Sequence, residues 1–357
     1  MTAARDVLLR ADTAGNVHDR ASLRFVGRQI AALLGGRLIE DLPASAPAGA
    51  YWLPVGTLSA AEADAFGIVS ERDFFGGAVP YDFVATKAVS HPLVSSTACA
   101  PEGWSRETEI GRWVLDGFTA FSLDDARAAG EALLANGPVR LKQVGASAGV
   151  GQVAASDRAT LAQLLAEQDP ATVVREGLVI EENLLDPVTY SVGWSRIGGE
   201  TIAYWGTQQE TRRPQGDAVY GGSELHAVRG DPDALLAEDL PTDVVEAVRL
   251  AIGFDDAVSA AYPGILASRR NYDVLVGQGA GGSRRMGVLE QSWRAGGASP
   301  AELLAFRAFR SEPKLRSVRC ATVERHALVD VPADAEAIFH GVDPVVGAMT
   351  KYAMLVR

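Results

Sequence analysis

VRLKQVGASAGVGQ, residues Val139 to Gln152, places a lysine at the end of an alternating apolar-polar run and follows it with glycines and small residues. Lys142 at a strand end can reach a phosphate, and backbone amides of Gly145 to Gly149 can fold over phosphate oxygens. The stretch is not a Walker A loop, which needs its lysine after the glycines and a helix next. It lacks the dinucleotide-binding glycine spacing as well. GQVAAS continues as a second strand, so the glycines join two strands as a hairpin. Read alone, the same residues also make a plain turn.

Working outward, the flanks supply a compact α/β unit. A strand is predicted over Arg112 to Leu115, then a helix capped by Ser122 and stopped at Asn136-Gly137. On the other side SDRATLAQLLAEQ predicts a capped helix and GLVIEENLL a strand. Nearer the start, Arg20 to Leu34 carries apolar residues at helical spacing and ends at Gly35-Gly36. RLIED, YWLPVGTLS and FGIVSE predict strands around the helical SAAEADAF, and a helix-like stretch surrounds Lys87. The second half predicts strands at Thr189 to Ile197 and Thr201 to Gln208, a polar loop from Glu210 to Gly222, and a helix from Thr242 to Ala261. Alternating elements of this kind make an α/β chain with an α+β C-terminal half.

NYDVLVGQGAGGSRRMGVLEQSW, residues Asn271 to Trp293, predicts a hairpin. Residues i, i+2 and i+4 of a strand share a face, so Glu290, Ser292 and Arg294 project together, beside Asp273 on the paired strand. Two carboxylates and a hydroxyl, with water completing the shell, suit Mg²⁺ bridging nucleotide phosphates. The alternative is a solvated strand face with a salt bridge. Ser299, Pro300 and Glu302 then match a capping box, so a helix starts just behind Gly296-Gly297 with its positive end near Arg294.

The whole chain has 357 residues and a net charge of −12. That length allows about two or three domains. The acidic balance argues against a dedicated binder of nucleic acid or of an anionic membrane. No run approaches the roughly 18 apolar residues of a membrane span, and Arg5 and Asp6 spoil a signal peptide. Cys99 and Cys320 stand apart from any metal-type cluster, so a cytoplasmic protein with free thiols is expected. The basic residues include only four lysines, Lys87, Lys142, Lys314 and Lys351. In a chain so biased to arginine, the remaining lysines mark places for a compact point charge.

In their order along the chain, these pieces resemble the ATP-grasp superfamily, over roughly residues 80 to 310. Lys87 is similar to that family's first nucleotide lysine, and Lys142 with Gly145, Ser147 and Gly149 to its second lysine and phosphate-covering loop. VIEENL resembles the strand that recognises adenine, through Glu181, Glu182 and Leu184. Asp273, Glu290 and Ser292 with Arg294 resemble the acidic and E-x-N-x-R pattern, with Ser292 where the family has Asn. The resemblance implies an N-terminal α/β domain over 1–80, a lid subdomain over 81–184 and a metal-bearing subdomain over 185–357. It implies ATP and Mg²⁺, with small-molecule carboxylate and amine substrates, no nucleic acid and no membrane; a homodimer is left open. The implied reaction is an ADP-forming carboxylate–amine ligation through an acyl phosphate, steadied by Arg294 and Arg270. A kinase and a non-catalytic ATP-binding protein stay open beside it. Arg212-Arg213, His226 and Arg269-Arg270 are further candidates for the acceptor. Lys142→Ala is expected to abolish protection by ATP and leave the fold intact.

Overall fold

The computed structural model describes residues 4–10, 15–40, 47, 49–106, 108–146, 151–213, 216 and 218–356. β1 (Arg5–Leu9) is followed by α1 (Val17–Leu34), β2 (Gly35–Ile39) and β3 (Tyr51–Leu53). The three strands pair in parallel in the order β2-β1-β3. α1 stops where predicted, because Gly35 takes a left-handed φ of 70° that closes the last turn. β4 (Leu58–Ser59), α2 (Ala60–Ala65) and β5 (Gly77–Val79) complete this part. FGIVSE forms turns, not a strand; the amides of Val69 and Ser70 donate to the Asp73 carboxylate and wrap the chain around it.

A second sheet holds the glycine hairpin. β6 (Gly117–Ala120), α3 (Leu123–Leu134), β7 (Val139–Gln143) and β8 (Gln152–Ala155) come first. α4 (Arg158–Ala166), α5 (Pro170–Glu176) and β9 (Leu178–Glu182) follow. The sheet runs β6-β9-β7-β8 with antiparallel pairs throughout. Ser122 caps α3 by accepting from the Asp125 amide. Two expectations here are corrected. The strand lies at 117–120, because residues 110–112 turn as a 3₁₀ helix. The stretch around Lys87 is likewise two short 3₁₀ turns, Asp82–Ala85 and Lys87–Ser90.

The large sheet takes the rest. Its first strands are β10 (Leu185–Ile197), β11 (Glu200–Arg212) and β12 (Ala218–Arg229). α6 (Pro232–Leu236), α7 (Thr242–Ala261), β13 (Leu266–Ala267), β14 (Arg269–Gln278) and β15 (Arg284–Gln291) come next. α8 (Ser299–Ser311), β16 (Ser317–Arg325), β17 (Glu336–Asp343) and β18 (Gly347–Val356) close the chain. The order is β15-β14-β10-β11-β12-β16-β18-β17. Much of the stretch expected as a polar loop is strand instead, since β11 and β12 stay paired out to Arg212 and Ala218. One face of this sheet packs α1 and α8 through Val26, Ile30, Tyr204, Leu225 and Phe306. The other packs α7 through Phe254, Val258, Tyr272 and Val274. No helix among the described residues is long and apolar enough to cross a membrane.

Candidate active site

Three hydrogen bonds bring Lys87 to the hairpin of β14 and β15. The Gln291 amide donates to the carbonyls of Val84 and Thr86, at 2.7 and 2.8 Å, and the Ser90 hydroxyl donates to that of Leu289. Thus clamped, Lys87 Nζ lies 3.1 Å from Glu290 Oε2 and donates to the Ala146 carbonyl at 2.6 Å. Glu290 stands directly across the strand pair from Asp273, with Leu289 left over as a bulge. The Gln208 amide donates to Asp273 at 2.8 Å. Burial and the neighbouring Glu290 push Asp273 up to about 7. A cation between these two carboxylates would relieve that repulsion. No cluster of three or more His, Cys, Asp or Glu occurs among the described residues, so any Mg²⁺ here would share its shell with phosphate and water.

Lys142 sits differently. Its Nζ lies 2.5 Å from Glu181 Oε1, and His91 Nε2 lies 3.1 Å from the other oxygen of the same carboxylate. All three side chains are buried. Burial alone would raise Glu181, but Lys142 and His91 outweigh it and hold the carboxyl at about 2. The Glu181 carboxylate, expected at the adenine, is therefore committed beneath the strand. Glu182 pairs with Arg285 at 2.8 Å and accepts from the Asp116 amide, while Leu184 is buried at the turn into the large sheet. Gly145 packs on the Glu176 carboxylate, where a Cβ would come within 2.5 Å. Ser147 and Gly149 lie outside the described residues.

Two adjacent arginines of β14 part company. Arg269 shares the face of Asn271 and Asp273, and its guanidinium is clasped by Glu302 of α8 at 2.7 Å. Its remaining nitrogen donates to the carbonyls of Ser292 and Arg294, at 2.9 and 2.5 Å, and so shapes the chain that follows Glu290. Arg270 points to the α7 face, where Asp255 and Glu71 hold it at 3.1 and 3.2 Å. The expectation that Arg270 steadies an acyl phosphate fails on that alternation. Arg294 is solvent-accessible, but it lies deep enough for burial and Arg269 to lower its pKa. It makes no ion pair with a carboxylate among the described residues and donates only to the Ala295 carbonyl.

The match to known proteins is in the fold and in one family model. That family, described as "Protein of unknown function (DUF3182)", matches residues 7–353. The chain belongs to the DUF3182 family. No curated protein matches it. Among solved structures, Staphylococcus aureus N5-carboxyaminoimidazole synthetase complexed with ADP is similar at a TM-score of 0.55 and 9% identity, over 100% of this chain and 94% of that one. The biotin carboxylase domain of Hydrogenobacter thermophilus 2-oxoglutarate carboxylase, in complex with MgADP, ADP and bicarbonate, gives 0.52 and 12%, over 100% and 87%. The Campylobacter jejuni biotin carboxylase complex gives 0.50 and 10%, over 99% and 87%. The DUF3182 chain therefore has the ATP-grasp fold, a mixed α/β architecture.

On that fold the DUF3182 chain brings Lys87 to Glu290 and Asp273, with Ser292 and Arg294 following on the same strand end, while Lys142 is paired with Glu181. Of the acceptor candidates, Arg212 donates to the Gly216 carbonyl at the hairpin tip, and His226 lies beside Trp205. Ser299 is the first residue of α8 and accepts from the Gly296 amide, and Glu302 is spent on Arg269; the expected capping box is not formed. Sequence reasoning missed His91, Gln208 and Gln291. It named Arg269 only as half of a basic pair, although the alternation that grouped Glu290 with Ser292 also places Arg269 with Asp273. A groove of about 820 Å³ between α7 and residues 108–113 shares none of these residues.

Proposed function

We propose that this chain is an ATP-dependent, ADP-forming ligase that joins a small-molecule carboxylate to an amine or related nucleophile. The observation that carries the reading is the ion pair of Lys87, from a separate segment, with Glu290, which stands across the strand pair from Asp273. Lys142 pairs with Glu181 beneath the small sheet, and its charge also acts on Asp273. Phosphoryl transfer depends mainly on positioning and charge neutralisation, and this parts list supplies both.

In this reading Lys87 and Lys142 hold the phosphates, and the backbone from Glu182 to Leu184 meets the adenine. Asp273, Glu290 and Ser292 hold Mg²⁺, which supplies charge neutralisation on the phosphates. A substrate carboxylate oxygen attacks the γ-phosphorus and ADP leaves; the amine then attacks the acyl carbon and expels phosphate. Arg294 faces the anion formed in between. Residues 81–184 act as the lid unit and 185–357 as the metal-bearing unit, with 1–80 closing the acceptor side. On that side Asp19 of α1 lies 3.8 Å from the buried Lys351, which pairs with Glu324 at 3.0 Å, and Asp19 also acts electrostatically on Arg294.

The test is incubation with MgATP and pools of small carboxylates, with hydroxylamine in place of the amine. ADP release together with a hydroxamate is the expected result, since hydroxylamine captures an acyl phosphate. Phosphorylation of a hydroxyl without hydroxamate would make the protein a kinase. Failure of MgATP to raise the melting temperature would remove the nucleotide site itself.

A further inference from the structure

One four-residue turn, Lys87–Ser90, begins with the lysine that meets Glu290 and is followed at once by His91. It is held to β6, whose Thr119 hydroxyl donates to the Ala88 carbonyl at 2.7 Å and whose Thr119 amide donates to that of Pro92 at 2.9 Å. The imidazole enters beneath the small sheet and meets the Glu181 carboxylate of β9 at 3.1 Å, opposite Lys142 of β7 at 2.5 Å. We infer that His91 is a positioning residue for nucleotide phosphate: it orients Glu181, and through Glu181 it fixes the ammonium of Lys142. The inference rests on the nucleotide reading above.

The chemistry of the three groups sets the direction of each contact. A carboxylate only accepts, so His91 Nε2 carries a hydrogen and donates it to Glu181. His91 Nδ1 is buried without a partner among the described residues. It lies against Gly117 of β6, where a Cβ would come within 2.6 Å of Cε1 and 2.7 Å of Nδ1. A second hydrogen on Nδ1 would be an unpaired buried donor, which is costly. The ring therefore meets Glu181 through its Nε2–H, and the charges of Glu181 and Lys142 face each other. Lysine has a flexible four-carbon stem, and freezing it on a preset carboxylate removes that freedom before a ligand arrives. Both lysines of the cleft then depend on the same turn, Lys87 directly and Lys142 through His91 and Glu181.

The experiment is a calorimetric titration of the full chain with MgADP. His91→Gln keeps an N–H near the position of Nε2 and is expected to bind like the unaltered chain. His91→Leu removes the donor and is expected to weaken MgADP about tenfold, the usual scale of a hydrogen bond to a charged group. In a Glu181→Gln background His91→Leu should add no further loss, because the imidazole acts only through that carboxylate. Thermal melts follow the fold; should His91→Leu not fold, His91→Asn, whose shorter amide stops short of Glu181, is expected to show the same loss. Three results would overturn the inference: His91→Leu binding as tightly as the unaltered chain, His91→Gln as weak as His91→Leu, or an equal loss in the Glu181→Gln background. No MgADP binding by the unaltered chain would remove the nucleotide reading and this inference with it.

Discussion

The two lysines of the cleft are built on opposite principles. Lys142 stands on a strand, buried with its partner Glu181 and with His91 beyond it, and its charge is cancelled inside the protein. Lys87 stands on a short turn and shares Glu290, a third exposed, with Asp273 across the strand pair. The first arrangement costs desolvation and is justified only by tight pairing, so it fixes a charge in place. The second leaves a carboxylate facing a lysine on one side and an acid on the other, so its pairing can be exchanged. A site that must hold a polyphosphate and release a product benefits from one charge of each kind.

The largest expected effect separates the two directly. Lys142→Met strands Glu181 in the interior, and loss of one partner of a buried pair costs about 3–5 kcal/mol. Lys87→Met also removes a buried ammonium, but it leaves behind Glu290, a third exposed, which water can solvate, so the cost should be smaller. Both variants should lose protection by MgATP, so the earlier expectation that removing the Lys142 amine spares the fold is replaced by a stability cost. Denaturant unfolding at pH 7 checks this, and equal costs would erase the distinction. The pH dependence carries the sign: Glu181 is held at about 2 against an ordinary 4.5. The stability from that pairing is present above about 4.5 and disappears as pH falls towards about 2. The gap between Lys142→Met and the unaltered chain should close over the same range.

The next effect tests the exchangeable side. Asp273 is raised from 3.8 to about 7, so between those values the folded chain keeps a proton that the unfolded chain has released. Without divalent cations, stability should therefore fall as pH rises from about 4 to about 7 and level off above. Asp273→Asn removes that slope, and its melting temperature should exceed that of the unaltered chain by most at pH 8. Added Mg²⁺ should bind more tightly as pH rises through 7, because the ligand must lose its proton. A pH-independent difference between the two proteins would show that burial and Glu290 do not raise Asp273.

What was legible in the sequence was local. The Lys142 hairpin and the Asp273–Glu290 hairpin were readable because alternation with period two and glycine placement are properties of neighbouring residues. What was not legible depends on partners far along the chain. β11 and β12 run through the stretch expected as a loop because they go on pairing with each other out to Arg212 and Ala218, while β16 joins β12 from Gly222 onward, about a hundred residues away. The capping motif at Ser299 and Glu302 gave way because a buried guanidinium, Arg269, claims Glu302 more strongly than a helix terminus does. His91 had no local signature at all; its role is set by Glu181, ninety residues later. Arg270 was a misreading of a rule already in use, since three residues from Asp273 is the wrong face.

The smallest effect concerns Ser292, which in the proposed metal site stands where the ATP-grasp pattern has Asn. Its amide donates to the Asn271 carbonyl at 2.7 Å and its carbonyl accepts from Arg269, so the backbone here is fixed from both sides. A longer side chain therefore changes reach without moving the chain. An amide oxygen extends further than a hydroxyl and is the stronger oxygen ligand for a hard cation. Ser292→Asn should then tighten Mg²⁺ severalfold in the presence of ADP, leave ADP binding in EDTA unchanged, and shift the melting temperature little. A weaker Mg²⁺ affinity in Ser292→Asn would mean that the shorter hydroxyl is itself the fitted ligand and that the cleft is shaped around it. Because Arg269 holds the carbonyls on either side of Trp293, Arg269→Lys should abolish the gain, its single ammonium being unable to span Ser292, Arg294 and Glu302 together.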